Sequence, residues 1–358
     1  MLKKIIYSSL SRKIYETLKK SNFFGKRLEI FALSLSLNYV KNVKKELDKE
    51  GPTLCSAKWL QSTIHLGIAQ THSCHHPLRH FISLDQIKKD PTALHNTQQK
   101  IQARKEMIEG KRPTECEYCW KVEDSSQLSD RHYKSSEAWA RNIIPNLKDP
   151  DLVKNVLPTY LELSFSSKCN LKCSYCDPMI SSSIRKEIEK EGAYPTKENF
   201  QNLNQYLEMK SIMGQNQKIL KDSFWLWWEE LRHKLIHLRI TGGEPLLDNQ
   251  LFVLLEKLKQ QSHSQLNFSV NSNLMVGEVL LRKLIRRVNQ LMDNESIKSF
   301  TLYTSIDTWG EHAEYLRFGL KIIQFKKNIN FLLKERPQLC LTFLVTYQVL
   351  SPFKFNDF

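Results

Sequence analysis

The chain has 358 residues, 41% of them hydrophobic and 25% charged, and a mean hydropathy of −0.44. That is an ordinary globular composition, and it excludes a disordered tail protein or a collagen-like repeat. It also argues against a membrane bundle: a spanning helix needs roughly 18 uncharged apolar residues, and the nearest run, Ile30 to Val40, is short and threaded with serines. Fifty-three Lys and Arg against 38 Asp and Glu leave a net charge of +15. Such a balance suits an acidic partner: nucleic acid, an acidic peptide or a phosphorylated substrate.

Residues 1–50 hold twelve basic and five acidic side chains. Ile6, Leu10, Ile14 and Leu18 keep i, i+4 spacing there, which predicts a basic amphipathic helix capping the main domain. Gly51-Pro52 then interrupts the pattern. From Cys55 to about Arg131 the chain is polar and rich in His and Cys, with a helix over Thr97 to Glu109 as the main exception. A segment so weak in apolar residues needs another source of cohesion, and bound metal is the usual one. No secretory h-region or cleavage site follows the basic start. A cytoplasmic, reducing setting is the default, where clustered cysteines act as metal ligands or redox groups. An organellar presequence is the minor alternative.

From Pro158 onward, strand and helix alternate. Strands are predicted at Tyr160–Ser166, His237–Thr241, Leu266–Asn271, Phe300–Ile306 and Leu341–Tyr347, with helices around 180–233, 248–261, 278–294 and 311–334. This pattern predicts α/β architecture, a partial parallel (β/α) barrel with its site at the strands' C-terminal ends. No sixth strand is visible after Tyr347. The expected organisation is a basic helical region over 1–50, a small Cys-rich metal-binding module over 51–150, and the barrel over 151–358.

The first barrel strand runs into Cys169, Cys173 and Cys176, spaced C-x3-C-x2-C. Three thiolates on one loop can grip three irons of a [4Fe–4S] cluster and leave the fourth iron open to a substrate or cofactor. Zinc with a distant fourth ligand, or buried thiols, is the competing reading.

This spacing, with the aromatic Tyr175 before the third cysteine, resembles the signature of the radical S-adenosylmethionine (SAM) superfamily, and the resemblance covers roughly residues 158–350. Gly242-Gly243-Glu244-Pro245 after the second barrel strand resembles the family's GGEP segment, implying a hold on the amino group of SAM. The third strand ends in Asn271-Ser-Asn273, where ribose or carboxylate contacts are expected. Ser305-x-Asp307 and Arg317-x-Gly319 look like the family's S-x-D and R-x-G pair, implying that Ser305 and Arg317 hold the methionine carboxylate. Cys55, Gly67, Cys74, Cys116 and Cys119 resemble a SPASM/twitch module placed before the barrel. That likeness implies one auxiliary [4Fe–4S] cluster on the four thiolates, with zinc as the alternative. His65, His72, His75, His76 and His80 lie around Cys74 and are assigned to no metal. Cys340 is expected to be a buried small apolar residue, and Phe224-Trp-Leu-Trp-Trp228 to be core packing rather than a substrate wall.

The resemblance implies reductive cleavage of SAM to a 5′-deoxyadenosyl radical that abstracts hydrogen from a substrate, first of all a peptide or protein. The implied electron donor is a reductase, ferredoxin or flavodoxin, and no membrane partner is implied. A nucleotide, nucleic-acid or sugar substrate stays open. So does a non-catalytic iron–sulfur or zinc protein on a degenerate barrel.

Overall fold

The computed structural model describes residues 25–192, 194–195 and 203–357, with side chains described outside 25–34, 203–216 and 356. The amphipathic pattern from Ile6 to Leu18 lies outside the described residues. Contacts divide the chain into two compact units, residues 1–60 with 98–156, and residues 61–97 with 157–358.

The first unit is helical, with helices at Gly25–Glu50, Ser56–Leu60, Gln98–Ile108, Glu117–Asp124, Asp130–Ser135 and Pro150–Lys154. Val43, Leu47, Leu54 and Trp59 are fully buried in it. Buried charged side chains tie its segments together. Arg131 forks onto Glu123, Nε to Oε1 at 2.9 Å and Nη2 to Oε2 at 2.7 Å, and donates to the Leu54 carbonyl at 2.7 Å. Arg104 is fully buried and donates to the carbonyls of Lys58 and Val153 at 3.2 and 3.1 Å. Burial pulls its guanidinium pKa down to about 9. Lys58, also buried, pairs with Glu115. Side chains counted as polar in the sequence thus bury their stems and satisfy their heads on carbonyls and carboxylates.

The second unit is a mixed α/β layer around one sheet. Its strands are β1 (Gln61–His65), β2 (Gln70–His72), β3 (His80–Phe81), β4 (Tyr160–Ser164), β6 (His237–Ile240), β7 (His263–Ser272), β8 (Ile297–Ser305) and β10 (Cys340–Leu344). The short β5 (Lys172–Cys173) and β9 (Arg317–Phe318) pair separately. The order is β10-β8-β7-β6-β4-β1-β2-β3. The five strands expected from the sequence pair parallel to their neighbours. β1 adds a sixth parallel strand on β4, and β2 and β3 continue antiparallel. The stretch 51–150 is therefore not one module: residues 61–97 build the sheet's edge, because Ser62 and Ile64 are buried in register with Leu161 and Leu163. The expected helix around 180–233 is described as two, Ser182–Glu191 and Leu203–Leu231. The one around 311–334 is divided by β9 into Gly310–Leu316 and Ile322–Glu335.

The sheet's two faces differ. Leu161, Leu163, Leu238, Ile240, Phe268, Val270, Phe300 and Leu302 face one way and share a core with Phe224 and Trp228, Leu251 and Leu255, Leu281 and Ile285, and Phe325 of the helices. The opposite face carries Glu162, Arg239, Ser269 and Thr301 in one register row, with Asn271, Tyr303 and Thr342 in the row above. Cys340 belongs to this half-buried face rather than to the core, paired beside Thr301. Phe224, Trp227 and Trp228 are buried whereas Leu226 is 71% exposed, so the aromatic run is the core stripe of its helix, as expected. Phe224 packs edge-on against Phe165 at 5.6 Å. Phe224→Ala should destabilise the chain by about 3–5 kcal/mol, read as a lowered urea midpoint with an unchanged m-value.

Candidate active site

The site is assembled at the C-terminal ends of β4, β6, β7 and β8. β4 ends at Ser164, and the loop that follows carries Cys169, β5 with Cys173, and Cys176. The loop is fastened at many points. Ser182 donates its amide to the Ser167 carbonyl at 2.7 Å and accepts the Cys169 amide on its hydroxyl at 3.0 Å. Ser183 Oγ donates to the Cys169 carbonyl at 2.7 Å, and Arg185 Nη2 to Ser167 Oγ at 2.7 Å. The Ser174 amide donates to the Leu316 carbonyl at 2.9 Å, and Arg79 pairs with Asp177 at 2.6 Å.

The Gly-Gly turn is packed against this loop. Gly242 has φ +119°, and a Cβ there would stand 2.4 Å from Ser164 Oγ. A Cβ on Gly243 would stand 2.3 Å from the Lys168 carbonyl oxygen, and the Glu244 amide donates to that oxygen at 2.6 Å. The close approach that demands glycine is made by the chain itself. Gly67 and Gly319 serve the same loop, each placing a hypothetical Cβ 3.0 Å from it, at Ser166 and Leu171. Gly67, read from the sequence as part of an auxiliary-cluster module, thus packs under the cysteine loop. Cys74 follows β2 in the same unit, while Cys55, Cys116 and Cys119 belong to the helical unit.

Glu244 is fully buried and engaged. Its carboxylate accepts from Ser272 Oγ at 2.9 Å, the Asn273 amide at 2.7 Å and the Leu246 amide at 3.1 Å, where it caps the turn begun by Pro245. The side chain thereby joins the β7 end to the turn. Burial raises its pKa from 4.5 to about 7 against the pull of those donors. Asn273 is tied to the cysteine loop, its Nδ2 donating to Asn170 Oδ1 at 2.9 Å. Asn271 Oδ1 accepts from Arg239 Nε at 3.0 Å, and Ser305 is half-buried at the end of β8.

Arg317 and Asp307 form a fork, Nε to Oδ2 and Nη2 to Oδ1, both at 2.9 Å. Tyr175 Oη donates to Asp307 Oδ2 at 2.7 Å and the Thr346 amide to Oδ1 at 3.0 Å. Arg317 Nη1 stands 3.7 Å from Cys173 Sγ, because β5 and β9 pair with Cys173 opposite Arg317. The resemblance implied that Arg317 holds a methionine carboxylate; here its nitrogens face Asp307 and a cysteine sulfur. Asp177, Ser182, Ser183, Arg185 and Ser272 went unremarked in the sequence, since each acts through a hydrogen bond that local spacing does not announce.

The three cysteines fit an iron–sulfur cluster. Burial is the main cause that raises all three thiol pKa values, taking Cys173 to about 11 and Cys176 to about 12, and the neighbouring cysteines add to it at Cys173 and Cys176. They are neutral thiols until a metal deprotonates them.

No family model and no solved structure matches the chain. Curated relatives do match. They include proteins named GTP 3′,8-cyclase from Staphylococcus haemolyticus and Staphylococcus epidermidis, each 26% identical over 193 residues, and from Staphylococcus aureus, 29% identical over 185 residues. Each match covers 48% of this chain and 46% of the relative, so it spans about half the length of those proteins. These distant relatives support the radical SAM superfamily, and the largely parallel sheet fits its partial barrel.

Gly243→Ala should cost at least about 2 kcal/mol, because a carbonyl stands where the methyl must go. Gly277→Ala, with open space around it, should cost only about 1 kcal/mol, the loss of a favourable residue at a helix N-cap, and urea unfolding compares the two. The raised Glu244 pKa means the folded chain holds that proton more tightly than the unfolded one. Its contribution is therefore fullest below about pH 4.5 and declines as pH rises to about 7, by on the order of 3 kcal/mol. In metal-free protein, Glu244→Gln should flatten that part of the stability–pH curve, beyond a constant offset for its altered hydrogen bonds.

Proposed function

We propose that this chain is a radical SAM enzyme acting on a nucleotide-class small molecule. The observation that carries the reading is one arrangement: three mutually interacting cysteines on the loop after β4, packed against a Gly-Gly-Glu-Pro turn after β6. In this reading Cys169, Cys173 and Cys176 hold a [4Fe–4S] cluster. The backbone of Gly242 and Gly243, with Asn271, Ser305 and Tyr175 around it, orients SAM. Once both are bound, they supply reductive cleavage of SAM to a 5′-deoxyadenosyl radical that takes hydrogen from the substrate. The protein's part is to leave one cluster corner without a side chain, fix the loop, and keep water from the reacting atoms. Glu244 and Asn273 do the fixing: they tie the β7 end to the turn and to Asn170.

The first expectation for the substrate was a peptide or protein. The GTP 3′,8-cyclases among the relatives favour the nucleotide alternative, and so does the sheet's polar face. There Arg239 lies 4.5 Å from the ring of Tyr303 and donates to Asn271. A half-buried guanidinium braced by an amide suits a phosphate or carboxylate at the centre of the sheet. The donor of the reducing electron is read as a flavodoxin, ferredoxin or reductase, and the setting as the cytoplasm. Among the described residues no helix is long and apolar enough to cross a membrane.

The test is anaerobic reconstitution with iron and sulfide, followed by assay for 5′-deoxyadenosine with dithionite and SAM. Wild type should form it and Cys173→Ala should not; no product from wild type refutes the reading. Iron near four per chain means the loop cluster alone, near eight a second cluster, and four with added zinc a zinc site elsewhere. Nucleoside triphosphates should raise the rate above the substrate-free level. Arg239→Gln should lose that stimulation, whereas stimulation by peptides alone would restore the first expectation.

A further inference from the structure

A buried ion pair stands beside one of the three loop cysteines. Arg317 is 6% exposed and Asp307 is fully buried. Two guanidinium nitrogens lie on the Asp307 carboxylate at 2.9 Å each, and the third faces Cys173 Sγ at 3.7 Å. Nothing in this arrangement is loose. Asp307 is also held by the Tyr175 hydroxyl at 2.7 Å and the Thr346 amide at 3.0 Å. The β5–β9 pairing fixes Arg317 opposite Cys173, and the Arg317 guanidinium carbon lies 5.5 Å from the Tyr175 ring.

We propose that the Arg317–Asp307 pair sets the reduction potential of the cluster on Cys169, Cys173 and Cys176, with Arg317 favouring the reduced state through Cys173 and Asp307 limiting that effect. The inference rests on the proposed radical SAM function. Reduction adds one electron from an external one-electron donor and makes or breaks no bond. The added negative charge is stabilised by a fixed cation at short range where water is excluded. An N–H aimed at a ligand sulfur draws charge from it and acts in the same sense, as hydrogen bonds to cluster sulfurs generally do. The carboxylate opposes both, by its own charge and by holding the guanidinium to itself. Arg317 and Asp307 are thus positioning residues for electron entry, and they should shift the cluster in opposite directions.

The experiment is an EPR-monitored redox titration of anaerobically reconstituted full-length protein, without SAM, after iron and sulfide analysis. Arg317→Gln should move the midpoint potential negative. Asp307→Asn should move it positive, and Arg317→Lys should fall between wild type and Arg317→Gln. A structural role alone would not give shifts of opposite sign, so unchanged potentials or shifts of one sign overturn the proposal. Should the variants fail to load, wild type labelled with 15N only in arginine provides the second measurement. Pulsed EPR of the reduced cluster should show a 15N coupling, and its absence likewise overturns the proposal. A wild-type chain that takes up no cluster would instead refute the functional reading.

Discussion

The cysteine loop keeps its shape because the Lys168 carbonyl is pressed into a turn that has no side chains. The Glu244 amide meets that carbonyl at 2.6 Å, and a methyl on Gly243 would collide with it. The contact joins the end of β4 to the end of β6, so the ligand-bearing loop is held by strand ends whose register the sheet already fixes. Three rotatable thiols become a preorganised set by this means, since a loop fastened only at its ends would lose that order to conformational entropy.

Two buried carboxylates complete the frame from the other strands. Glu244 accepts from the β7 end and the turn. Asp307 gathers Arg317, Tyr175 and the backbone after β10. Each carboxylate has donors on separate segments, so removing it would leave several buried polar groups unpaired at once. Site and fold are consequently supported by the same atoms.

The candidate loop was legible because its chemistry is local. Cys169, Cys173 and Cys176 lie within eight positions, and the Gly-Gly turn names itself by composition. The parallel strands β4, β6, β7, β8 and β10 were legible from their alternation, though β7 begins three residues earlier than its pattern showed, at His263, beyond a register irregularity with β8; the short β5 and β9 were not. β1 was not legible. Gln61-Ser-Thr-Ile-His65 is short and polar, and becomes a strand by lying in register with the buried β4. The burial of Arg104 was not legible for the same reason: a charged side chain looks solvated until carbonyls close around it.

The sequence by itself determined the alternating α/β order, the ligand-type residues and their spacing, because periodicity and local motifs act over a few residues. Only the tertiary structure decided the partners: that Gly67 and Gly243 press on the same loop, that Glu244 caps a turn and binds a strand end, and that Arg317 turns to Asp307 and a cysteine sulfur. Those choices depend on groups up to 144 positions apart that meet only when strands pair and burial strips their water. Local sequence carries no record of either event.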